Sequence, residues 1–415
     1  MGSINNHKEP SIFVGGLVLG GAMIGAGMFS LPTIMAGAWF VNAWIILIVV
    51  AFIMLLSGLY ILECISKYGA GANYAVIAKN LLPKPLAYLA NLSLIFVLYI
   101  LIYAYISAAG SVIHGAFIQF GFPVRIEIIF TVFTLCLGAT VWWSALLSSR
   151  LTSLFLLIKI ILFVLAFYGL FINVKPTMLF TLPEGKSTTS LLPFIFVIIP
   201  YAITSFGYHG NVCSLYKLYG TPGKVVKSCF LGVTLAFVLY TLWMIGTMGN
   251  LPRSEFLTII GKGGNLEAFI QSLYTVLQNP YIEAFLLWFS ISAVFCSFLG
   301  VAIGLFDYIL DSLSLPETKP GRLKAATLCF LPPLLLCLLF PDGFLIAIAY
   351  AGSAACIWAV ICPAVMALKA RKVFDKGVGF EVKGGTLLIY SVIGFGIFGI
   401  LCQTLAMMGV LPIYK

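Results

Sequence analysis

Eleven apolar runs, each long enough to cross a bilayer, divide this chain from end to end. A helix needs about 20 mostly apolar residues to span ~30 Å of hydrocarbon. Such runs lie near 12–36, 39–62, 86–113, 125–147, 151–173, 191–216, 226–248, 281–310, 323–340, 343–368 and 385–411. The connections are short and carry Pro, Gly or charge, such as Leu82-Pro83-Lys84-Pro85 and Pro320-Gly321-Arg322. One longer insertion, 249–280, holds Arg253, Glu255, Lys262, Gly263, Gly264 and Glu267, and reads as short helices outside the membrane. Only 9% of residues are charged, against about 25% in a soluble domain. Such a chain cannot cover a water-facing surface. The expected fold is an all-α polytopic membrane protein of about eleven transmembrane helices, forming a single membrane domain over 1–415.

The net charge of +10 would point to nucleic acid in a soluble protein. Here the bases lie in short loops, so they report topology, and no nucleic-acid partner is expected. With a cytoplasmic N-terminus, 16 bases fall inside and 6 outside, with Lys159 left within a span. That bias predicts an external C-terminus after eleven spans. Residues 1–11 are polar and too short for a signal peptide, so the first apolar run is expected to be a retained span. Ten cysteines form no C-x-x-C pair and lie mostly inside apolar runs, as buried small hydrophobes do. Three histidines occur, and H-E-x-x-H, P-loop and G-x-S-x-G motifs are missing. No metal, no cofactor and no obligate protein partner is implied, and the chain does not read as an enzyme.

Two spans are interrupted. The first contains Gly15-Gly16, Gly20-Gly21, Gly25-Ala26-Gly27-Met28 and Pro32. Glycine costs a helix about 1 kcal/mol relative to alanine, so a cluster near mid-membrane predicts unwinding. Small-residue helix packing is the competing explanation, since Gly-x-x-x-Gly recurs at Gly16–Gly20 and Gly21–Gly25. The sixth span carries Pro200 and then Ser205-Phe206-Gly207-Tyr208-His209-Gly210-Asn211. The breaks stand five spans apart, so two five-span units would run inverted to one another, 12–173 and 191–368, with 385–411 added. Paired interruptions of this kind mark transporter binding sites. Freed N–H groups suit a carboxylate, and freed carbonyls suit an ammonium. A zwitterionic amino acid needs both, and the neighbouring aromatics suit an apolar or aromatic side chain.

Gly25-Ala26-Gly27-Met28-Phe29-Ser30-Leu31-Pro32, followed by Ala36-Gly37-Ala38-Trp39-Phe40, resembles the opening of the bacterial hydroxy/aromatic amino acid permeases. Further runs agree in order: Tyr99 to Ser107, Ser205 to Asn211, Thr247-Met248-Gly249-Asn250, Ser297-Phe298-Leu299-Gly300 and Gly304-Leu305-Phe306-Asp307-Tyr308. The resemblance covers nearly the whole chain. It implies a proton-driven importer of the amino acid–polyamine–cation superfamily in the bacterial inner membrane. The implied architecture is a leucine-transporter-type 5+5 inverted repeat plus one extra helix. Trp39-Phe40 and Thr247 to Asn250 lean toward the tryptophan branch, and a tyrosine-specific branch shares several motifs. Cys213 is a departure, standing where tryptophan members carry Pro.

The candidate substrate contacts are Gly25, Ala26, Gly27 and Met28 at the first break and Phe206, Gly207, Tyr208 and His209 at the second. His209 suits an indole N–H or a phenol as a neutral acceptor, or a proton near neutral pH; a structural histidine is the plainer alternative. Tyr99, Tyr103 and Ser107 share one helix face. The resemblance favours Tyr103 as a contact, an aromatic packing stripe is the alternative, and Tyr105 is expected to point elsewhere. Lys159 is expected about eight residues into its span, roughly 12 Å deep. A charge inside the membrane is functional by default, although its stem can also snorkel to the interface. In proton-coupled relatives a lysine of the fifth span replaces a sodium ion between the first and eighth spans, which implies proton coupling at Lys159, with Ser292 and Ser297 beside it. Glu63 and Asp307 are candidate gates, and Asp311 is an interfacial acid like them. His114 lies near the outer surface. A channel would need a continuous polar stripe or charged ring, and a membrane enzyme would need clustered acids or ligands at one depth. Neither is present.

Overall fold

The structure is a computed structural model that describes residues 11–25, 27–69, 71–182, 187–375 and 377–414. Its regular elements are all helical among these residues. The first span is a bent pair, α1 (Ile12–Met23) and α2 (Gly27–Met35), whose axes meet at 59°. Then come α3 (Trp39–Tyr68), the short α4 (Tyr74–Leu81), α5 (Lys84–Gln119), α6 (Ile126–Trp143), α7 (Ala145–Phe171) and the short α8 (Pro176–Phe180). The sixth span runs from a 3₁₀ turn (Thr189–Phe194) through α9 (Ile195–Ser205) to α10 (Gly210–Tyr219). It is followed by α11 (Pro222–Met248), α12 (Glu255–Gly261), α13 (Leu266–Leu277), α14 (Pro280–Ser312) and α15 (Lys319–Leu339). The tenth span joins α16 (Phe344–Ala355), a π-helical segment (Cys356–Ile361) and α17 (Cys362–Val373), and α18 (Gly385–Met407) is the eleventh.

The expected spans are present among the described residues: ten apolar helical spans, and eleven with the bent pair counted as one. Local chemistry sets their ends. Proline occupies the first turn of α5, α8, α11, α14, α15 and α17, where its missing N–H costs nothing. Asn73, Asn265 and Asn279 accept backbone N–H groups as N-caps of α4, α13 and α14. The insertion folds into α12 and α13, as its sequence indicates.

One boundary differs from the sequence reading. Arg150 suggests a loop between 147 and 151, yet the chain breaks at Ser144 instead. Its backbone is extended, its N–H closes α6 on the Thr140 carbonyl at 3.0 Å, and its hydroxyl caps α7 by accepting from Leu147 N at 3.3 Å. One serine thus ends one helix and starts the next. Lys159 therefore lies fourteen residues into α7, about 21 Å along its axis rather than 12 Å.

Packing follows a simple rule. Contacts of the first five spans recur when each is exchanged with its counterpart five spans on. Helix α7 lies on α14 as α16 lies on α5, and α1 lies on α11 as α9 and α10 lie on α3. Likewise α5 meets α6 as α14 meets α15, and α2 meets α9 across the centre. Helix α18 packs outside the pattern, on α9, the π segment and α17. Close approach of α1 to α11 uses small residues on both helices: a Cβ on Gly16 would lie 2.6 Å from Leu231 Cδ2, and one on Gly232 2.7 Å from the Leu19 Cβ. The early glycines thus serve packing, while Gly25 and Gly27 flank the break. All ten cysteines are unbridged, and only Cys136 is exposed.

Candidate functional site

Helix α1 stops at Met23. The Ile24 N–H still reaches Gly20 O at 2.9 Å, but ψ of 83° at Ile24 turns the chain out of the helix. Gly25 N then folds back on Met23 O at 2.8 Å. The Ile24 carbonyl and the second lone pair of the Met23 carbonyl are left for other donors, which within the protein interior must be something other than bulk water. Ala26 lies outside the described residues. A Cβ on Gly25 would stand 2.6 Å from Ser297 Oγ, and one on Gly27 3.3 Å from Ser205 Oγ. The first break is therefore pressed between α14 and the end of α9. Met28 is fully buried beside it.

The second break starts where α9 ends at Ser205. Phe206 N reaches Ala202 O at 3.1 Å, Gly207 N reaches Thr204 O at 3.2 Å, and α10 resumes at Gly210. Phe206 meets the Tyr240 ring edge-on at 5.2 Å. Tyr208 points its hydroxyl at Met54 O, 3.2 Å away on α3, over the bare backbone of Gly58.

Lys159 is 2% exposed. Its ammonium does not snorkel; Nζ donates to Ile24 O at 2.5 Å, at the centre of the first break. Cys296 of α14 lies within electrostatic range of Lys159, and its thiol donates to Thr152 O at 3.6 Å. Ser297 abuts Gly25, whereas Ser292 gives its hydroxyl to Trp288 of its own helix. A residue not singled out from sequence completes the group. Tyr240 of α11 is fully buried, with Oη 2.6 Å from Met23 O and 2.7 Å from Ser205 O. Tyr105 interacts electrostatically with both Tyr240 and Cys296.

On the third span the geometry matches the packing-stripe alternative for Tyr99, Tyr103 and Ser107. Tyr99, Tyr103 and Ser107 do share a face, but it is zipped to the ninth span and the connection beyond it. Their hydroxyls donate to Leu328 O at 2.9 Å, Phe340 O at 2.7 Å and Pro341 O at 2.5 Å. Tyr105, two residues on from Tyr103, is buried within electrostatic range of Tyr240 and Cys296 instead. The helical period held the signal, since residues two apart lie on different faces. Choosing between the faces needed the position of α15.

His209 is 1% exposed, and neither ring nitrogen has a hydrogen-bond partner among the described residues. Its ring lies 4.8 Å from Tyr208 and 6.1 Å from Trp358, nearly perpendicular to the latter. Trp358 belongs to the π segment, a helix form that recurs at functional sites. A buried imidazole with open nitrogens is costly unless a partner visits it.

Beside the first break, aromatic rings of α2, α7, α11 and α14 pack on one another. Phe29 meets Phe289 at 5.3 Å and Trp243 at 5.6 Å, and Phe163 meets Phe289 at 5.4 Å. Glu63 is buried and clasped by Arg371 through two bonds of 2.6 and 2.8 Å, and it accepts Val382 N at 2.9 Å. Asp307 is exposed, within range of Asp311 and Arg322. His114 lies near Glu127 and Glu267. Among the described residues no three His, Cys, Asp or Glu side chains are grouped to hold a metal.

Residues 8–403 match the tryptophan/tyrosine permease family. The chain is 69% identical over 400 residues to a low affinity tryptophan permease of Proteus vulgaris, covering 96% of each. It is 44% identical to a tryptophan-specific transport protein of Shigella flexneri, covering 99% of this chain and 98% of that one. Among solved structures, MhsT in complex with L-phenylalanine superposes with a TM-score of 0.61 at 13% identity, covering 96% of this chain and 98% of that one. That likeness supports the leucine-transporter-type fold.

Proposed function

The chain belongs to the tryptophan/tyrosine permease family, and from that premise we propose that it imports aromatic amino acids, tryptophan foremost, by proton symport. It is a multi-pass protein of a bacterial inner membrane and a transporter rather than an enzyme. In this reading the N-terminus is cytoplasmic and the C-terminus external, on the charge bias of the loops. The proton gradient is the driving force, and neither a cofactor nor a protein partner takes part.

The observation that carries the coupling is the Lys159 ammonium on the Ile24 carbonyl. A protonated Lys159 ties α7 to the unwound end of α1. A deprotonated amine gives up the charged bond, which is the stronger kind, and the two elements can separate. A protein cation fixed there also competes with a sodium ion for the same carbonyl. The substrate's ammonium goes to the carbonyl ends of α1 and α9, and its carboxylate to the N–H groups that open α2 and α10. The indole N–H goes to an open nitrogen of His209, which lies between Tyr208 and Trp358. One helix bundle rocks against the other to alternate access.

The test is tryptophan uptake into proteoliposomes. Accumulation driven by an inward proton gradient and indifferent to sodium is the expected result. Absence of Trp, Tyr and Phe accumulation under that gradient overturns the proposal. A competition panel of Trp, Tyr, Phe and indole separates the tryptophan reading from a tyrosine-specific one, because a tyrosine permease ranks Tyr first.

A further inference from the structure

Met23 is the last residue of α1, and Ser205 is the last residue of α9. Each carbonyl lies at a helix C-terminus, where unpaired oxygens gather partial negative charge. Two such oxygens from different spans repel unless a donor stands between them. The Tyr240 hydroxyl stands there, 2.6 Å from one and 2.7 Å from the other. It comes from a third element, α11, and its ring is held edge-on by Phe206 at 5.2 Å. Trp243, one turn further along α11, packs on Phe29 of α2. So the same helix contacts both pieces of the first span and the end of α9.

A phenol carries one proton and donates to one carbonyl at a time. When it serves Met23 O, which also accepts Gly25 N at 2.8 Å, the Ser205 carbonyl is held close yet left as an open acceptor. An ammonium carries three donors and can serve both. We infer that Tyr240 is a positioning residue: its hydroxyl sets the Met23 and Ser205 carbonyls at the separation that receives the substrate's amine. This inference rests on the amino-acid reading above. Tyr240 need not touch the indole at all, so its loss should select against amine-bearing ligands only.

The experiment measures binding to purified protein of tryptophan, tryptamine, indole-3-propionate and indole. The first two carry an amine and the last two do not. Tyr240→Phe keeps the ring and removes the hydroxyl. The expected result is that tryptophan and tryptamine weaken on the order of tenfold, while indole-3-propionate and indole stay within twofold. Equal weakening of all four ligands, or no change in any, overturns the inference, because a packing role does not sort ligands by their amine. Should Tyr240→Phe fail to fold, 3-fluorotyrosine at position 240 replaces it: a more acidic phenol strengthens the donor, and amine-bearing ligands alone should shift. Lack of tryptophan binding by the wild-type protein overturns the transport reading itself; wild-type binding that Tyr240→Phe leaves unchanged overturns only the role of Tyr240.

Discussion

At the scale of single residues, two buried side chains sit where the energetics of the membrane interior would not leave them by chance. Lys159 is stemmed entirely within the protein and ends on a broken-helix carbonyl. Lys159→Ala removes the donor without touching either break's own hydrogen bonds. Accumulation driven by a proton gradient should fall to background, while exchange of internal for external tryptophan, which needs no net coupling, persists. Wild-type accumulation in the variant would remove Lys159 from the coupling step. His209 invites a different comparison. If its open nitrogen accepts the indole N–H, 1-methyltryptophan should compete about tenfold less well than tryptophan in the wild type. In His209→Ala the two ligands should converge. Sequence placed both residues inside spans, because charge and imidazole stand out in an apolar run. It did not reveal Tyr240 or Tyr105. Tyrosine is ordinary in such runs, and the importance of Tyr240 lies in carbonyls brought from other spans.

Among the elements, the capped break at Ser144 shows why boundaries were harder to read than spans. Arg150 looks like a loop residue by charge, but a helix end depends on who satisfies its terminal backbone groups. Here one serine does so for both helices, within Trp142-Trp143-Ser144-Ala145, which has neither Pro nor Gly. The end of α3 follows similar logic through charge. Glu63 binds Arg371 of α17 and the backbone of Val382, and Lys67 binds Glu381 at 2.8 Å. Removing one partner of a buried pair strands the other, at about 3–5 kcal/mol. Arg371→Met should therefore lower the melting temperature in detergent markedly, and Glu63→Leu combined with it should recover part of the loss. Outside the spans, half-buried Glu267 on α13 is held above the ordinary carboxylate range by burial, with His114 opposing. A carboxyl raised in the fold contributes stability at low pH, and that contribution is lost as pH rises through its folded value. Glu267→Gln should thus raise the melting temperature at neutral pH and flatten its dependence through the acid range. An unchanged profile would mean that the carboxyl stays solvated.

Over the whole molecule, the exchange rule among helix contacts makes motion a question of which contacts open. Contacts that join the two broken spans, such as α2 on α9, keep the breaks together. Contacts between the broken spans and α14 are the ones that alternate access would have to change. The rings of Phe29 and Phe289 provide that test, with centroids 5.3 Å apart between α2 and α14. Both are buried. Transport by rocking requires this pair to separate once in every cycle. Phe29→Cys with Phe289→Cys, in a background where Cys136 is replaced, can be bridged by a short bifunctional thiol reagent. The native cysteines other than Cys136 are buried, so the engineered pair should react preferentially while the passage is open. Bridging should abolish both accumulation and exchange, and a reducible linker should restore them on cleavage. Excess tryptophan that favours the closed arrangement should slow the bridging reaction. Exchange that continues at full rate with the bridge in place would mean that α2 and α14 move as one body, and the division into rocking units would have to be drawn elsewhere.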